Sequence, residues 1–125
     1  MPYADTDFFL ALIKERDWLQ SSAGKLYKKY RGQLWTSITT IIEVLLLAAR
    51  LKLDPERLVL NLSRIAQLRG VDLQVALLAA HFMKQDGLGT FDALHGAFCF
   101  AERDEIISSD KVFDRIGLTR IPLED

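Results

Sequence analysis

Residues 1–19 read MPYADTDFFLALIKERDWL and place acids between a strand and a helix. Residues 2–4 predict a short buried strand, and the apolar run over residues 8–19 predicts the helix that follows. Asp5 and Asp7 lie between the two, at the edge of what must become the core. A carboxylate in that position is costly unless something pairs with it. The stretch therefore predicts a strand–helix unit with an acidic junction whose partners lie elsewhere in the chain.

The same alternation of short apolar strands and helices continues to the end of the 125-residue chain. Such alternation is typical of an α/β fold in which helices cover a mostly parallel sheet. The length fits one domain, which we place at residues 1–125. Further helices are predicted at 21–31, 37–51, 55–69, 73–86, 90–104 and 109–117, and further strands at 33–35, 105–108 and 120–123.

The composition excludes several classes of protein. A net charge of −1 gives no global basic field, so a nucleic-acid partner would need a local basic patch. Cys99 is the only cysteine, which rules out an internal disulfide and favours a reducing cytoplasm. The N-terminus lacks the pattern of a signal peptide. The longest apolar run, residues 38–49, is too short for a bilayer and contains Glu43, so no membrane partner is expected.

Four carboxylates occupy positions that favour a shared site. Asp5 and Asp110 follow predicted strands, and ligands of parallel sheets collect at the carboxyl ends of strands. Asp92 falls in the first turn of its helix, and Glu43 interrupts the most apolar helix. Acids that several elements bring to one rim are what a hard divalent cation such as Mg²⁺ requires. The polar stripe that contains Glu43 consists of Thr36, Thr39, Thr40 and Glu43.

Each acid also has a purely structural interpretation. Asp5 and Asp110 could cap helices, since Asp is a preferred N-cap residue. Asp92 could oppose the dipole of its helix. Glu43 is harder to explain in this way because the middle of an apolar helix is a poor place for an unpaired carboxylate, and its structural alternative is an ion pair with Arg50. Spacing alone does not decide between these interpretations.

Four motifs, taken in order, resemble those of PIN-domain ribonucleases, and most closely the toxins of VapBC toxin–antitoxin pairs. The motifs are DTD (5–7), TSITTIIE (36–43), TFDALHGA (90–97) and IISSDKVFDRI (106–116). The resemblance extends over essentially the whole chain and implies a three-layer PIN-like fold with a central, mostly parallel sheet. It also implies a metal-dependent endoribonuclease that cleaves RNA.

The resemblance assigns roles to individual residues. The four acids of the family correspond to Asp5, Glu43, Asp92 and Asp110, which would hold one or two Mg²⁺ or Mn²⁺ ions. The small hydroxyl residue before the last acid corresponds to Ser108. The family commonly has asparagine where this chain has Asp7, so the role of Asp7 stays open between a ligand, a group behind the ligands and a helix-end charge.

Other candidate groups are weaker. His95 lies one turn from Asp92, and we interpret it as a packing or surface group, with a place in the cleft as the alternative. In the segment KLYKKYRG, basic residues alternate with tyrosines, a pattern that suits RNA phosphates and unpaired bases. The alternative there is a solvated helix face whose tyrosines anchor it to the core. The candidate RNA-binding residues are Lys28, Lys29, Arg31 and Arg50.

Two segments carry more large apolar residues than one buried stripe requires. In the helix predicted at residues 55–69, Leu58, Leu62 and Ile65 form one face, which is widened by Val59, Leu60 and Leu68. A wide apolar face usually seeks a second surface, although these residues could instead complete the core. The resemblance implies a cognate antitoxin in a groove beside the first helix, and a homodimer. The alternatives are an RNA-processing nuclease without an antitoxin and a non-catalytic PIN-fold binding module.

Overall fold

The computed structural model describes residues 1–13 and 20–124, in which seven helices alternate with five strands. None of the described helices is both long and apolar enough to cross a membrane. The second half of the helix predicted at residues 8–19 lies outside the described residues. The elements are β1 (Tyr3–Ala4), α1 (Thr6–Ile13), α2 (Gln20–Lys29), β2 (Trp35–Ser37), α3 (Ile38–Leu51), α4 (Pro55–Ile65), β3 (Gln67–Arg69), α5 (Leu73–Asp86), α6 (Thr90–Glu102), β4 (Ile106–Ser108), α7 (Val112–Arg115) and β5 (Arg120–Pro122).

The five strands form one sheet in the order β3-β2-β1-β4-β5, and every pairing is parallel. β1 is the central strand, with Tyr3 opposite both Trp35 of β2 and Ile106 of β4. The chain leaves β1 towards one side of the sheet to build β2 and β3, and later towards the other side to build β4 and β5. The carboxyl end of β1 is therefore a switch point of the topology, where parallel sheets open a crevice.

Helices cover both faces of the sheet, so the predicted three-layer α/β architecture is confirmed. Side chains of a strand alternate between its faces. Ala4 and Ile107 accordingly join the core under α1 to α4, whereas Tyr3 and Ile106 join the core under α5 to α7. Phe8 of α1 fills the first core and Phe98 of α6 the second.

Aspartate side chains cap the N-termini of α4 and α5. Asp54 accepts hydrogen bonds from the backbone N–H groups of Glu56 and Arg57, with Pro55 in the first turn of α4. Asp72 accepts one from the N–H of Val75 at the start of α5. These side chains satisfy backbone donors that have no partner within the helix.

The helix predicted at residues 55–69 is too long at its carboxyl end. α4 ends at Ile65, and residues 67–69 form the edge strand β3, in which the backbone N–H of Gln67 donates to the carbonyl of Leu34. Leu68 is the single apolar residue of β3 and is itself 38% exposed. The segment therefore lacks the apolar pattern that identifies a buried strand. What secures this edge is the backbone pairing with β2 and the guanidinium of Arg69 lying 4.2 Å from the centre of the Trp35 ring.

Candidate active site

The four predicted acids arise from elements that reach the carboxyl edge of the sheet. Asp5 follows β1, and Asp110 follows β4 after one further residue. Glu43 lies in the second turn of α3, which starts directly after β2, and Asp92 lies in the first turn of α6. The topological switch point therefore collects acids from two strand ends and two helix starts.

Asp5 is almost fully buried at the centre of this edge, with 6 % of its surface exposed. Its Oδ1 accepts a hydrogen bond of 2.7 Å from the N–H of Thr6, and its Oδ2 accepts one of 2.8 Å from the hydroxyl of Ser108. Burial raises the pKa of Asp5 to about 7, against the lowering effect of the His95 charge, and the charge of Asp7 raises it further. The neutral form of Asp5 is therefore more easily reached than for an ordinary aspartate, and a bound cation would favour the charged form instead.

Glu43 points into the same cluster, and its partner is not the basic residue considered from the sequence. Oε1 of Glu43 accepts a hydrogen bond of 2.7 Å from the hydroxyl of Thr6 and a short one from the imidazole of His95. No ion pair between Glu43 and Arg50 occurs among the residues that the structure describes. Burial alone would raise the pKa of Glu43, but the hydrogen bond and charge of His95 lower it.

His95 is the central residue that sequence reasoning missed as a main candidate. It is 1 % exposed, and its Nε2 lies 3.2 Å from Oδ1 of Asp5 as well as against Glu43. Burial by itself would lower the pKa of His95, but the charges of Asp5 and Glu43 raise it. The available signal was its spacing of three residues from Asp92, which puts both side chains on one face of α6.

Asp92 and Asp110 complete the acidic edge. Burial raises the pKa of Asp92, and so do the negative charges of Asp110, Glu43 and Asp7. Asp110 is exposed, and its Oδ1 accepts a hydrogen bond from the backbone N–H of Val112 at the start of α7. Asp110 therefore also contributes to the structure in the way that the capping interpretation suggested. The mutual repulsion at this edge is the property that a bound cation would relieve.

Asp7 lies behind this edge and holds the loop that leads to Asp110. Its Oδ2 accepts hydrogen bonds from the backbone N–H of Ser109 at 2.8 Å and from the Ser109 hydroxyl at 2.5 Å. Its Oδ1 is buried without a hydrogen-bond partner among the described residues. Burial raises the pKa of Asp7, while the hydrogen bonds of Ser109 lower it.

The predicted basic residues separate into two groups. Arg50 lines a shallow pocket of about 190 Å³ beside Glu43, together with Phe91. Lys28, Lys29 and Arg31, by contrast, lie at the end of α2 and in the turn that leads into β2, which is the amino edge of the sheet. Of the four, Arg50 is the one that the structure brings to the acids.

The donor set suits a divalent cation. One carboxylate oxygen each of Asp5 and Glu43 and a ring nitrogen of His95 lie within 4.8 Å of one another, and the charges of Glu43 and Asp110 both act on Asp92. Carboxylate oxygens are the ligands that Mg²⁺ and Mn²⁺ take in proteins. The raised pKa of the buried Asp5 is the expected property of a site whose charge balance requires a cation.

Known structures share this fold over nearly their full length. A toxin–antitoxin complex from Klebsiella pneumoniae contains a chain that is 18% identical, with a TM-score of 0.81 and coverage of 100% of this chain and 99% of that one. VapC20 from Mycobacterium tuberculosis, described as a toxin that cleaves the sarcin–ricin loop, is 18% identical, with a TM-score of 0.82 and coverage of 98% and 99%. VapBC-1 from nontypeable Haemophilus influenzae is 20% identical, with a TM-score of 0.73 and full coverage of both chains.

At these identities the similarity of the structures establishes the fold alone. No functionally curated protein matches the sequence. The PIN domain family, however, matches residues 3–118, which include all four acids and His95. This match and the parallel sheet with its acidic switch point agree, and the chain belongs to the PIN domain family.

Proposed function

We propose that this protein is a metal-dependent endoribonuclease and the toxin of a type II toxin–antitoxin pair. The observation that carries the proposal is the cluster of Asp5, Glu43 and His95 at the switch point of the sheet, with Asp92 close enough to feel the charges of Glu43 and Asp110. Maintaining like charges in contact is costly for a fold, so their presence favours a catalytic site over a non-catalytic binding module.

In the proposed reaction, these acids hold one or two Mg²⁺ or Mn²⁺ ions. A bound ion of this kind lowers the pKa of its water and stabilises charge on a scissile phosphate. We further propose that Arg50, which lines the same pocket as Glu43, contacts an RNA phosphate. Cys99 is no alternative nucleophile, because its buried thiol donates to the carbonyl of Asp104 and burial raises its pKa to about 12.

The proposed protein partner is a cognate antitoxin. Support comes from a groove between α1 and α4, with a volume of about 580 Å³, which includes Leu58 and Ile65 of the apolar face predicted on α4. The rest of that face differs from the prediction, because Leu62 is buried in the core together with most of Leu58, and Leu60 and Leu68 do not line the groove. Similar folds have been solved as complexes with antitoxins. A helical peptide can place its apolar anchors in such a groove. The groove is lined by Leu12, Ile13, Leu53, Asp54, Arg57, Leu58, Asn61, Arg64 and Ile65.

Cleavage of a structured RNA by the purified protein tests the catalytic proposal. The protein is stripped of metal, and Mg²⁺ or Mn²⁺ is then added back. We expect metal-dependent cleavage by the wild type and none by Asp5→Asn, whereas the matched control Asp72→Asn retains it because that residue caps α5. A wild-type protein that binds RNA and cleaves none with either metal would instead support the non-catalytic binding module.

The antitoxin is tested separately. A small open reading frame adjacent to the gene is expressed together with the protein, and co-purification and loss of cleavage are measured. We expect both, and we expect Leu53→Asp to weaken co-purification, because Leu53 lines the groove and is 40% exposed in the single chain. Cleavage without any inhibitory partner would favour the RNA-processing nuclease without an antitoxin.

A further inference from the structure

His95 lies at the junction of two hydrogen-bond systems. On one side, its Nε2 contacts Oε1 of Glu43 and lies 3.2 Å from Oδ1 of Asp5. On the other side, its Nδ1 lies 2.5 Å from the hydroxyl of Tyr3. Both ring nitrogens therefore have partners, and with 1 % of the residue exposed the ring has little access to water. The orientation of the imidazole is fixed by the protein rather than by solvent.

The Tyr3 hydroxyl connects this ring back to the start of α3. It lies 2.8 Å from the hydroxyl of Ser37, which in turn accepts a hydrogen bond from the N–H of Thr39 and caps the helix. Because α3 also carries Glu43, the chain of contacts begins at the N-cap of this helix and ends on the helix itself. The edge of the Tyr3 ring also packs against His95, with 5.6 Å between ring centres.

The contact with Glu43 decides which role His95 can have. An ionised carboxylate only accepts hydrogen bonds, so Nε2 must donate to it and has no lone pair left for a metal. Two donors, His95 and Thr6, act on Oε1 of Glu43, and Oε2 has no hydrogen-bond partner among the described residues. That second oxygen is the one available to a cation or to its water.

We propose that His95 is a positioning residue that fixes Glu43, relative to Asp5, in the geometry that receives the divalent cation. This inference rests on the proposed function, because it concerns how that metal site is held. Partners that orient metal ligands from behind are typically worth 10–100-fold, to order of magnitude, in metal affinity or activity. The chain Ser37–Tyr3–His95 is such a support, built from β2, β1 and α6.

Two substitutions separate the two nitrogens. The amide nitrogen of His95→Gln extends about as far as Nε2 and can still donate to Glu43, whereas that of His95→Asn extends only as far as Nδ1 and keeps the contact with Tyr3. The affinity for Mn²⁺ is measured from the signal of the free ion in electron paramagnetic resonance. We expect His95→Asn to lose roughly 10–100-fold in affinity and His95→Gln to retain most of it.

Three further measurements make the test decisive. Urea unfolding of the metal-free variants shows whether any loss of affinity merely follows a loss of stability. Tyr3→Phe keeps the ring packing but removes the hydroxyl that contacts Nδ1 of His95, so we expect it to lower the affinity for Mn²⁺ as well. This variant therefore tests the proposal even if His95→Asn does not fold. Pulsed electron paramagnetic resonance of the wild type with Mn²⁺ should show no directly bonded imidazole nitrogen.

The outcomes are distinguishable. A wild-type protein that binds no Mn²⁺ overturns the proposed function. Wild-type Mn²⁺ binding with equal affinity in His95→Asn overturns only the role of His95. A directly bonded nitrogen also overturns that role, because His95 would then be a ligand. The two variants could also lose the same affinity, in parallel with their losses of stability. His95 would then be a purely structural residue, which would contradict the proposal.

Discussion

The hydroxyl of Ser108 donates a hydrogen bond of 2.8 Å to Oδ2 of Asp5, joining two residues that are 103 positions apart. The register of the sheet explains the contact, since Ala4 pairs with Ile107 and the next residues along both strands are Asp5 and Ser108. The same hydroxyl accepts a hydrogen bond from the N–H of Asp110. One side chain thus connects the acids that follow β1 and β4.

Removing that hydroxyl should weaken both the fold and the site. We expect Ser108→Ala to lower the free energy of unfolding by about 1–3 kcal/mol, because it leaves a buried carboxylate short of one donor. Mn²⁺ affinity should fall as well, because Asp110 loses its link to Asp5. Urea unfolding and Mn²⁺ titration measure the two effects. The control is Ser63→Ala, whose exposed hydroxyl bonds only within its own helix and should leave both unchanged; equal effects of the two substitutions would contradict the assignment.

The stability of the metal-free protein should fall as the pH rises from about 5.5 to 8. The pKa of Asp5 is about 7 in the fold, above its ordinary value of 3.8, and that of His95 is raised too. The folded protein therefore binds more protons than the unfolded chain in this range. The stabilisation present at low pH is lost as the pH rises through the pKa values that Asp5 and His95 have in the folded state. The pKa of Glu43 is lowered from its ordinary value of 4.5, so this residue affects the pH dependence of stability only at pH values below this range.

Thermal unfolding at several pH values, with EDTA and then with Mg²⁺, checks this dependence. Mg²⁺ should stabilise the protein more at high pH, because the cation competes with protons for Asp5. In Asp5→Asn, most of the pH dependence and of the Mg²⁺ response should disappear. A metal-free wild type that grows more stable towards pH 8 would show that Asp5 is ionised in the fold.

Much of this arrangement could be predicted from local sequence, because it depends on where strands end. Short apolar segments identified β1, β4 and β5, so the positions of Asp5 and Asp110 at the carboxyl edge followed. The three residues of β3 escaped prediction since Leu68 alone is apolar there and the pairing that defines the strand comes from β2. Local pattern shows which segment is buried but not which distant segment pairs with it.

The partners of the acids could not be predicted for the same reason. The apolar setting of Glu43 showed that it needed a partner, and Arg50 was the nearest basic residue on its own helix. The actual partner, His95, is 52 positions away, and the residue behind it, Tyr3, is 92 positions from His95. Only the packing of α6 across the sheet from α3 brings these groups together.

The role of Asp7 can be resolved with two substitutions. Asp7→Asn keeps an oxygen for Ser109 and removes a negative charge that raises the pKa of Asp5, so the metal-free protein should become more stable and retain cleavage. Asp7→Ala removes the support of the loop that carries Asp110 and should reduce cleavage at least tenfold, an order-of-magnitude expectation for a group that orients ligands. Cleavage rates and urea unfolding measure both. Loss of cleavage in Asp7→Asn with the fold intact would instead make the charge of Asp7 part of the metal site.

Helix α5 presents apolar side chains that its own domain does not cover. Leu73 is 75% exposed and Leu77 is 63% exposed, and their spacing of four residues places them on one face of the helix. Full burial of a leucine is worth about 1.5–3 kcal/mol, so contact between two copies of this face would be favourable. The homodimer that the family resemblance implies would give these side chains a partner.

We expect the protein to be a dimer in light scattering at micromolar concentration and Leu77→Lys to be a monomer, because the substitution would bury an unpaired charge at the interface. The free energy of unfolding of the monomer should change by no more than about 0.5 kcal/mol, since Leu77 is exposed in the single chain. Leu60→Lys is the matched control: that leucine is 56% exposed on α4, and the dimer should persist. A monomeric wild-type protein would contradict the homodimer. A dimer that persists in Leu77→Lys but dissociates in Leu60→Lys would place the interface on α4 instead of α5.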